Sequence, residues 1–268
     1  MPWTERQTAL LGELGIRLWR APPLAAGPLP ETSAKVRTSA AVTPPGAPPA
    51  APRVEEPRPP YRTAPVDART LDWPALRAAV AECTACALSA SRTQTVFGVG
   101  HPRAHWMVVG EAPGEQEDRQ GEPFVGRSGQ LLDNMLRAIN LTRAMPADAD
   151  AADPARHVYI ANTLKCRPPG NRNPAPDELA RCEGFLIRQI ELVQPKIILA
   201  MGRFAVQALL RSDEPVGRLR GRVHRYQGVP LIVTFHPAYL LRSLPEKARA
   251  WDDLCLALDT LAAGAATG

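Results

Sequence analysis

The chain has 268 residues, of which 45% are hydrophobic and 29 are prolines, and it carries a formal net charge of +5 at pH 7. A chain of this length buries a core without disulfide bonds, so its five cysteines are expected to be thiols or metal ligands in a reducing compartment. No apolar run approaches the ~20 residues that span a bilayer, and the first residues lack the pattern of a secretion signal. We therefore expect a cytoplasmic protein rather than a membrane or secreted one.

The positive charge is divided between two parts of the chain. Residues 1–65 carry 8 Lys and Arg against 5 Asp and Glu, a net +3, which leaves 24 against 22, a net +2, for the remainder. A nearly neutral remainder does not fit a polycation that coats nucleic acid through bulk charge. Two local basic clusters are candidate phosphate contacts or ordinary solvated surface: Lys165, Arg167 and Arg172, and Arg218, Arg220, Arg222, His224 and Arg225.

Composition also predicts three segments. Residues 1–20 contain a short apolar stretch that is too small for a core and is typical of a docking peptide. Residues 21–65 hold 13 prolines and 10 alanines with almost no large aliphatic side chains, which predicts a disordered linker because so little burial cannot offset chain entropy. Residues 66–268 are predicted to form one globular domain, and nothing in them indicates more than a monomer.

Within that domain, short buried strands alternate with amphipathic helices. The predicted strands are 106–110, 158–161, 197–201 and 231–235, and the predicted helices are 128–139, 203–210 and 246–261. Strands separated by helices indicate an α/β fold, a doubly wound, mostly parallel sheet with helices on both faces. In such sheets, ligands bind outside the carboxyl ends of the strands.

Polar segments follow three of these strands directly. They are Glu111–Gly114, Asn162 and His236–Pro237. Each alone is also explained by a turn, a cap or a satisfied buried histidine, but their common position predicts that they meet at one edge of the sheet. We therefore expect one candidate pocket there.

The cysteines indicate a second site. Cys83 and Cys86 form a C-x2-C pair, and 15 residues separate Cys166 from Cys182. Four thiolates with one close pair suit tetrahedral zinc or a 4Fe-4S cluster. A redox dithiol would also use C-x2-C, but no thioredoxin-like context follows it. The spacing leaves zinc and iron–sulfur open.

Four motifs occur together in the order of one known family. They are Gly110-Glu-Ala-Pro-Gly-Glu-Gln-Glu-Asp, Gly121-Glu-Pro-Phe-Val-Gly-Arg-Ser-Gly-Gln-Leu-Leu, Asn162-Thr-Leu-Lys-Cys-Arg-Pro-Pro-Gly-Asn-Arg and His236-Pro-Ala. With the cysteine spacing, they resemble the iron–sulfur (family 4) uracil-DNA glycosylases over residues 75–262. The resemblance implies that fold, uracil-containing DNA as partner, and a 4Fe-4S cluster held by Cys83, Cys86, Cys166 and Cys182.

The chemistry of uracil excision assigns further roles. A base that is cut from DNA must leave the stack and enter a pocket, where Phe124 is suited to stack on it. The amide of Asn162 can accept from uracil N3–H and donate to O4, whereas cytosine offers the opposite pattern. The resemblance suggests that Glu117 blocks the C5 methyl group of thymine; the alternative is an exposed acidic loop residue. Gly110 and the backbone amides of Glu111 and Ala112 complete the predicted substrate site.

Bond cleavage requires stabilisation of a departing uracil anion and delivery of water. His236 is the candidate donor to uracil O2. The resemblance places Ala112 where family 1 glycosylases carry an aspartate that orients water, so Glu111 and Asn162 are the candidates for that role. A related branch that links covalently to DNA has an inserted basic loop with a histidine, which residues 166–176 lack. We therefore predict hydrolysis.

DNA binding requires a wedge for the space that the base leaves and anchors for phosphates. Leu240, Leu241 and Arg242, beside Tyr239, predict an apolar tip next to a cation, although the leucines also suit a helix core. Lys165 and Arg167 are predicted phosphate contacts, and Ser128 is a predicted helix cap.

The amino-terminal segment suggests a partner. Residues 10–20 resemble the start of the psi subunit of the bacterial DNA polymerase III clamp-loader complex, which implies docking of residues 1–20 on the chi subunit. Two functions thus remain: a glycosylase that hydrolyses the N-glycosidic bond of deoxyuridine in DNA, or a replisome-associated DNA-binding protein of the same fold with little turnover.

Overall fold

A central six-stranded sheet organises the chain, in a computed structural model that describes residues 67–145 and 152–266. The predicted docking peptide and linker lie outside these residues. The strands are β1 (Val99–Gly100), β2 (Trp106–Gly110), β3 (Val158–Asn162), β4 (Ile197–Met201), β5 (Val223–Tyr226) and β6 (Val229–Thr234). Their order is β1-β3-β2-β4-β6-β5. In the part of the chain that the structure describes, no helix is both long enough and apolar enough to cross a membrane.

The four inner strands are parallel, and the two edge strands are antiparallel. The predicted strands 106–110 and 197–201 have the observed bounds, while β3 continues to Asn162 and β6 begins and ends slightly earlier than predicted. The edge strands were not predicted. β1 has two residues, and β5 is half-exposed and lies within the basic cluster, so neither shows the buried run that marks the inner strands.

Helices cover both faces of the sheet. They are α1 (Trp73–Ala81), α2 (Glu115–Gln120), α3 (Arg127–Ala138), α4 (Pro176–Val193), α5 (Arg203–Leu210), α6 (Val216–Leu219), α7 (Pro237–Leu240) and α8 (Glu246–Ala266). The predicted helix 203–210 matches α5, and the other two predicted helices match α3 and α8 with shifted ends.

Successive side chains of each inner strand point to opposite faces and enter two separate cores. Met107 and Val109 pack with side chains of α4 and α5. Trp106 and Val108 pack with side chains of α3 and α8. The structure therefore has the three layers of the predicted doubly wound fold, with helices on both faces of the sheet.

The order of the strands determines where a ligand site forms. The chain passes from β2 to β3 on one side and then crosses to β4 on the other side of β2. β2 and β4 therefore flank a topological switch point, where connections leave in opposite directions. A crevice opens outside the carboxyl ends of strands at such a point, and the carboxyl end of β2 is Gly110.

Candidate active site

The structure brings the three polar segments together around one cavity of about 380 Å³ at the carboxyl edge of the sheet. Residues from the ends of β2, β3 and β6 and from the loops around α2 and α3 line it. These residues are Ala112, Gly114, Glu115, Gln116, Glu117, Phe124, Gly126, Ser128, Asn162, Asn171, His236 and Ala238. Because the segments come from distant parts of the sequence, their convergence depends on the parallel strand order.

Asn162 ends β3 directly opposite Gly110 of β2. Its side chain is only 2% exposed, and its Oδ1 atom has no hydrogen-bond partner among the described residues. A buried polar atom without a hydrogen-bond partner destabilises the folded state by about 1–3 kcal/mol. A ligand that donates a hydrogen bond to Oδ1 would remove this cost. Gly110 makes the arrangement possible, because a Cβ there would overlap Oδ1 and approach Phe124 Cζ to 2.7 Å.

Phe124 forms another wall of the cavity. Its ring stacks on the His236 imidazole, with centroids 5.3 Å apart and an angle of 29° between the planes. Its backbone φ is 55°, a left-handed conformation that costs a residue with a Cβ about 1–2 kcal/mol. Such strain persists only where the surroundings fix it, and it is concentrated at functional sites.

His236 follows β6 and caps the short helix α7. Its Nδ1 accepts a hydrogen bond from the backbone N–H of Ala238 at 3.2 Å. Burial, reinforced by the positive charge of Arg242 and opposed by Glu117, lowers the pKa of His236 to about 4. The ring is therefore neutral at pH 7, and because Nδ1 accepts, we assign its hydrogen to Nε2. His236 thus offers a neutral donor.

Glu117 connects the two loops that border the cavity. Its Oε2 accepts from the backbone N–H of Gly114 at 3.1 Å, and its Oε1 accepts from Val125 at 3.0 Å and from Gly126 at 3.2 Å. The carboxylate is almost fully buried. Glu117 is therefore fixed in place rather than an exposed acidic loop residue.

Glu111 and Ala112 occupy different positions relative to the cavity. Of the two, Ala112 lines it and Glu111 does not. The Glu111 carbonyl accepts from Thr163 Oγ1 at 2.5 Å and from the Leu164 N–H at 3.1 Å, which joins the loops after β2 and β3. Burial raises the pKa of the Glu111 carboxyl, although the nearby positive charge of Arg203 opposes this shift.

The prediction that Lys165 contacts phosphate is wrong, because its side chain is 1% exposed. Its Nζ donates to the Asn162 carbonyl at 2.8 Å and to Gln189 Oε1 at 2.6 Å. Lys165 therefore holds the backbone carbonyl of Asn162 in place from within the domain. Arg167, by contrast, stays partly exposed, and its Nε donates to Asn171 Oδ1 at 2.8 Å.

The predicted wedge is also wrong at Leu240, which is 1% exposed and packs inward. Leu241 is half-buried and Arg242 is exposed. The exposed apolar side chains in this region are Tyr239, at 38%, and Leu244, at 62%.

Two other details of the loops differ from the predictions. Ser128 does not cap a helix, because α3 begins at Arg127 and its N-cap residue is Gly126.

Asn171 lines the cavity and was missed by the sequence analysis. Its φ of 54° is left-handed, a conformation that asparagine tolerates better than most residues, so the Gly170-Asn171 pair was a turn signal.

The second basic cluster does not form one surface. Arg220 makes an ion pair with the buried Asp253 at 2.9 Å, and His224 Nε2 lies 2.7 Å from the Leu219 carbonyl oxygen. Arg218, Arg222 and Arg225 are exposed. Two of its five members therefore serve internal contacts rather than a ligand.

The four predicted cysteine ligands line a second, smaller cavity beside α1 and α4. Cys166 and Cys182 are buried, and Cys83 and Cys86 are half-buried. Burial raises the pKa of Cys166 to about 11 and that of Cys182 to about 12. Arg92 Nη1 donates to Cys166 Sγ at 3.0 Å, and the Lys165 backbone N–H donates to Cys182 Sγ at 3.3 Å. The structure thus gathers four thiols from three segments.

Comparison with known proteins agrees with this geometry. The family model of the uracil DNA glycosylase superfamily matches residues 97–255. The chain is 41% identical to the type-4 uracil-DNA glycosylase of Thermotoga maritima over 63% of this chain and 83% of that protein. It is 39% identical to the type-4 enzyme of Archaeoglobus fulgidus over 60% of this chain and 79% of that protein. It is also 39% identical to the type-4 enzyme of Sulfurisphaera tokodaii, over 60% of this chain and 72% of that protein.

The matched region contains all three strand ends that form the cavity, together with Cys166 and Cys182. The likeness covers between 72% and 83% of each of these three relatives. The chain therefore belongs to the uracil-DNA glycosylase superfamily and, within it, to the type-4 uracil-DNA glycosylases.

Proposed function

We propose that the chain hydrolyses the N-glycosidic bond of deoxyuridine in DNA, which releases uracil and leaves an abasic site. The observation that carries this proposal is the buried Asn162 Oδ1, which has no hydrogen-bond partner within residues 67–145 and 152–266, at a cavity that also contains a neutral histidine donor. Relatives named as uracil-DNA glycosylases support the same reaction.

Recognition of uracil follows from the amide of Asn162. Oδ1 accepts from uracil N3–H, which satisfies the orphaned atom, while Nδ2 donates to O4. Cytosine presents an acceptor at N3 and a donor at N4, so both contacts would become repulsive. Phe124 contributes a π face on which the extruded ring stacks.

Glu117 excludes thymine in this proposal. Three backbone N–H groups fix its carboxylate at the wall of the cavity. A fixed side chain cannot move aside for a C5 methyl group, and the methyl group would also desolvate a charged oxygen. The sequence-based role of Glu117 is thus retained with a specific physical cause.

His236 supplies the stabilisation of the leaving group. As the bond breaks, negative charge accumulates on uracil O2, and Nε2–H of the neutral ring donates to it. A donor that is oriented in advance at the site of developing charge is among the largest contributions to enzymatic rate. Water completes the reaction, because its oxygen bonds to C1′ of the oxocarbenium-like sugar and its released proton neutralises the uracil anion. Ala112 offers no side-chain group to act on this water, so we assign most of the acceleration to the His236 donor rather than to a general base.

The DNA strand is proposed to lie over the carboxyl edge, between Arg167 and Arg242. Both side chains are at least partly exposed. Arg167 donates to Asn171, which lines the cavity, and the charge of Arg242 acts on His236. Leu241, with the more exposed Tyr239 and Leu244, provides apolar surface next to Arg242. These side chains are suited to fill the space that the extruded nucleotide leaves in the duplex.

We propose that Cys83, Cys86, Cys166 and Cys182 hold a 4Fe-4S cluster. The donor set fits, because all four thiols line one cavity, and the guanidinium of Arg92 beside Cys166 compensates negative charge. Among residues 67–145 and 152–264, no three His, Cys, Asp or Glu side chains meet as ligands of one metal ion. A cluster would not require such a group, because its four thiolates would be shared among several irons. When bound, it would crosslink three segments of the domain.

Replacing Cys166 with serine is expected to abolish the cluster. Cys166 is buried, and the described residues that line its cavity include only three other cysteines, so no further thiol there can replace it. The measurement is the iron content and visible absorbance of anaerobically purified protein, with roughly four iron atoms per chain expected for the unaltered protein. Cys255→Ser is the matched control, since Cys255 lies outside the cavity, and it should retain full iron. Zinc in place of iron in the unaltered protein would contradict the assignment.

The activity is tested with uracil-containing single- and double-stranded oligonucleotides, followed by alkali to cleave abasic sites. We expect strand scission by the unaltered protein and none above background by the double variant His236→Ala, Asn162→Ala. DNA binding without scission by the unaltered protein would instead favour the replisome-associated binding protein without turnover.

A further inference from the structure

The backbone of Phe124 is held on both sides by charged side chains. Its left-handed φ of 55° is unfavourable for a phenylalanine, so other contacts must compensate for it. Glu117 holds the following peptides through the N–H groups of Val125 and Gly126. A second charged residue, Arg143, holds the carbonyl groups of Pro123 and Phe124.

Arg143 donates to two consecutive carbonyl groups at this position. Nη1 donates to the Pro123 carbonyl and Nη2 to the Phe124 carbonyl, both at 2.6 Å. The same guanidinium makes a two-pronged ion pair with Asp133 of α3, with Nε and Nη2 both at 2.8 Å from its carboxylate oxygens. The Arg143 side chain is 15% exposed, so solvent screens these contacts only weakly.

The packing beneath the loop accommodates the Phe124 carbonyl at a glycine of α3. A Cβ at Gly129 would overlap this carbonyl oxygen, so Gly129 of α3 makes room for it. The carbonyl then points to Arg143, while the neighbouring N–H groups point to Glu117. The C=O and N–H groups of the peptide between Phe124 and Val125 are thereby held by opposite charges. The Phe124 ring faces the His236 imidazole.

We propose that Arg143, anchored by Asp133, is a positioning residue for uracil excision, which holds Phe124 in its left-handed conformation so that its ring faces the base. Arg143 does not line the cavity among the described residues and acts only through Phe124. The inference rests on the proposed excision activity. Its physical basis is that a small displacement of an orienting group far from the reacting bond costs up to about 10²-fold in rate.

The test compares Arg143→Met with Arg188→Met. Arg188 is a matched control, because it also donates to a backbone carbonyl, that of Leu71 at 2.6 Å, and also pairs with a carboxylate, that of Glu191 at 2.9 Å. It lies on α4, outside the cavity. The readouts are the single-turnover rate of uracil release from a duplex and the affinity for the same duplex without uracil.

We expect Arg143→Met to lower the single-turnover rate by about tenfold or more, and Arg188→Met to leave it within about threefold. Affinity for DNA without uracil should be unchanged in both, because no base is then extruded. Equal rates in the two variants would overturn the positioning role. Absence of activity in the unaltered protein would instead refute the proposed function on which the inference rests.

A double-mutant cycle tests the route of the effect. In a Phe124→Ala background, adding Arg143→Met should change the rate by less than about threefold, since the group that Arg143 positions is absent. A full tenfold loss in that background would show that Arg143 acts elsewhere and would overturn the proposal. If Arg143→Met does not fold, Asp133→Asn removes the anchor and leaves both carbonyl contacts. It should reduce the rate in the same direction but less, and an unchanged rate would contradict the proposal.

Discussion

Replacing His236 with alanine is expected to lower the single-turnover rate of uracil release by about 10²–10³-fold, the usual loss when one donor to a developing anion is removed. The ring contacts the base only through Nε2–H in our assignment, so binding of uracil-free DNA should change little. The measurement is the rate with enzyme in excess over a duplex that contains one uracil. A loss below about threefold would remove His236 from the chemical step.

The pH dependence of the unaltered protein separates donation by a neutral His236 ring from donation by a charged one. The pKa of His236 is lowered to about 4 from its ordinary value of 6.5, so the folded protein holds the ring neutral over that interval while the unfolded chain is protonated. Stability from this group is therefore complete above pH 6.5 and is lost as pH falls through about 4.

The rate should accordingly show no His236 titration between pH 5.5 and 8. Unfolding measured against pH should be less steep between pH 4 and 6.5 in His236→Gln than in the unaltered protein, because the substituted amide does not titrate. A rate that rises on protonation near pH 6.5, absent in His236→Gln, would instead show that the charged imidazolium is the donor.

The inner strands of the sheet, and the cavity at their carboxyl ends, were predictable because short stretches of sequence indicate each strand. Each inner strand is a short run of apolar residues that is buried on both faces, and such runs are typical of parallel sheets. Once four such strands alternate with helices, the end of each strand must lie at the same edge. The convergence of Gly110, Asn162 and His236 follows from this rule without any knowledge of contacts.

The predictions for Lys165 and Leu240 were wrong because the positions of these side chains depend on contacts with residues distant in the sequence. A lysine in a basic loop indicates an exposed charge, but Lys165 finds Gln189 on α4, a helix that the sequence analysis did not identify. That helix was identifiable from Pro176 at its first turn and from the acidic residues that follow it. Leu240 packs inward for a comparable reason, because the short helix α7 turns one face to the domain.

The strained position of Phe124 could not be predicted either. Nothing in the motif around Phe124 indicates φ above zero, since phenylalanine is rarely left-handed. The conformation is fixed by Glu117, seven residues before it, and by Arg143, nineteen residues after it. Glu117 lies on α2, and Arg143 lies in the loop after α3. Nothing local in the sequence indicates that either charged side chain holds the Phe124 backbone, and only the folded chain reveals them as internal supports.

Replacing Asn162 with aspartate is expected to lower uracil excision by at least about 10³-fold, because a site built around a hydrogen bond discriminates strongly against a group that cannot make it. The carboxylate can still accept from uracil N3–H, but its second oxygen faces O4, and two acceptors then repel each other in a buried cavity. The change removes no hydrogen bond of Oδ1 from the folded chain, since that atom has no partner within the described residues.

The same change should reduce the preference for uracil over cytosine. Cytosine places a donor at N4 where uracil places an acceptor at O4, so the new acceptor removes one of the two contacts that reject cytosine. Single-turnover rates on otherwise identical duplexes with uracil or cytosine at the target position give the ratio directly. Asn134→Asp on the exposed face of α3 introduces the same charge away from the cavity and should leave both rates unchanged. If Asn162→Asp excised uracil as fast as Asn134→Asp, the amide would not be the group that recognises the base.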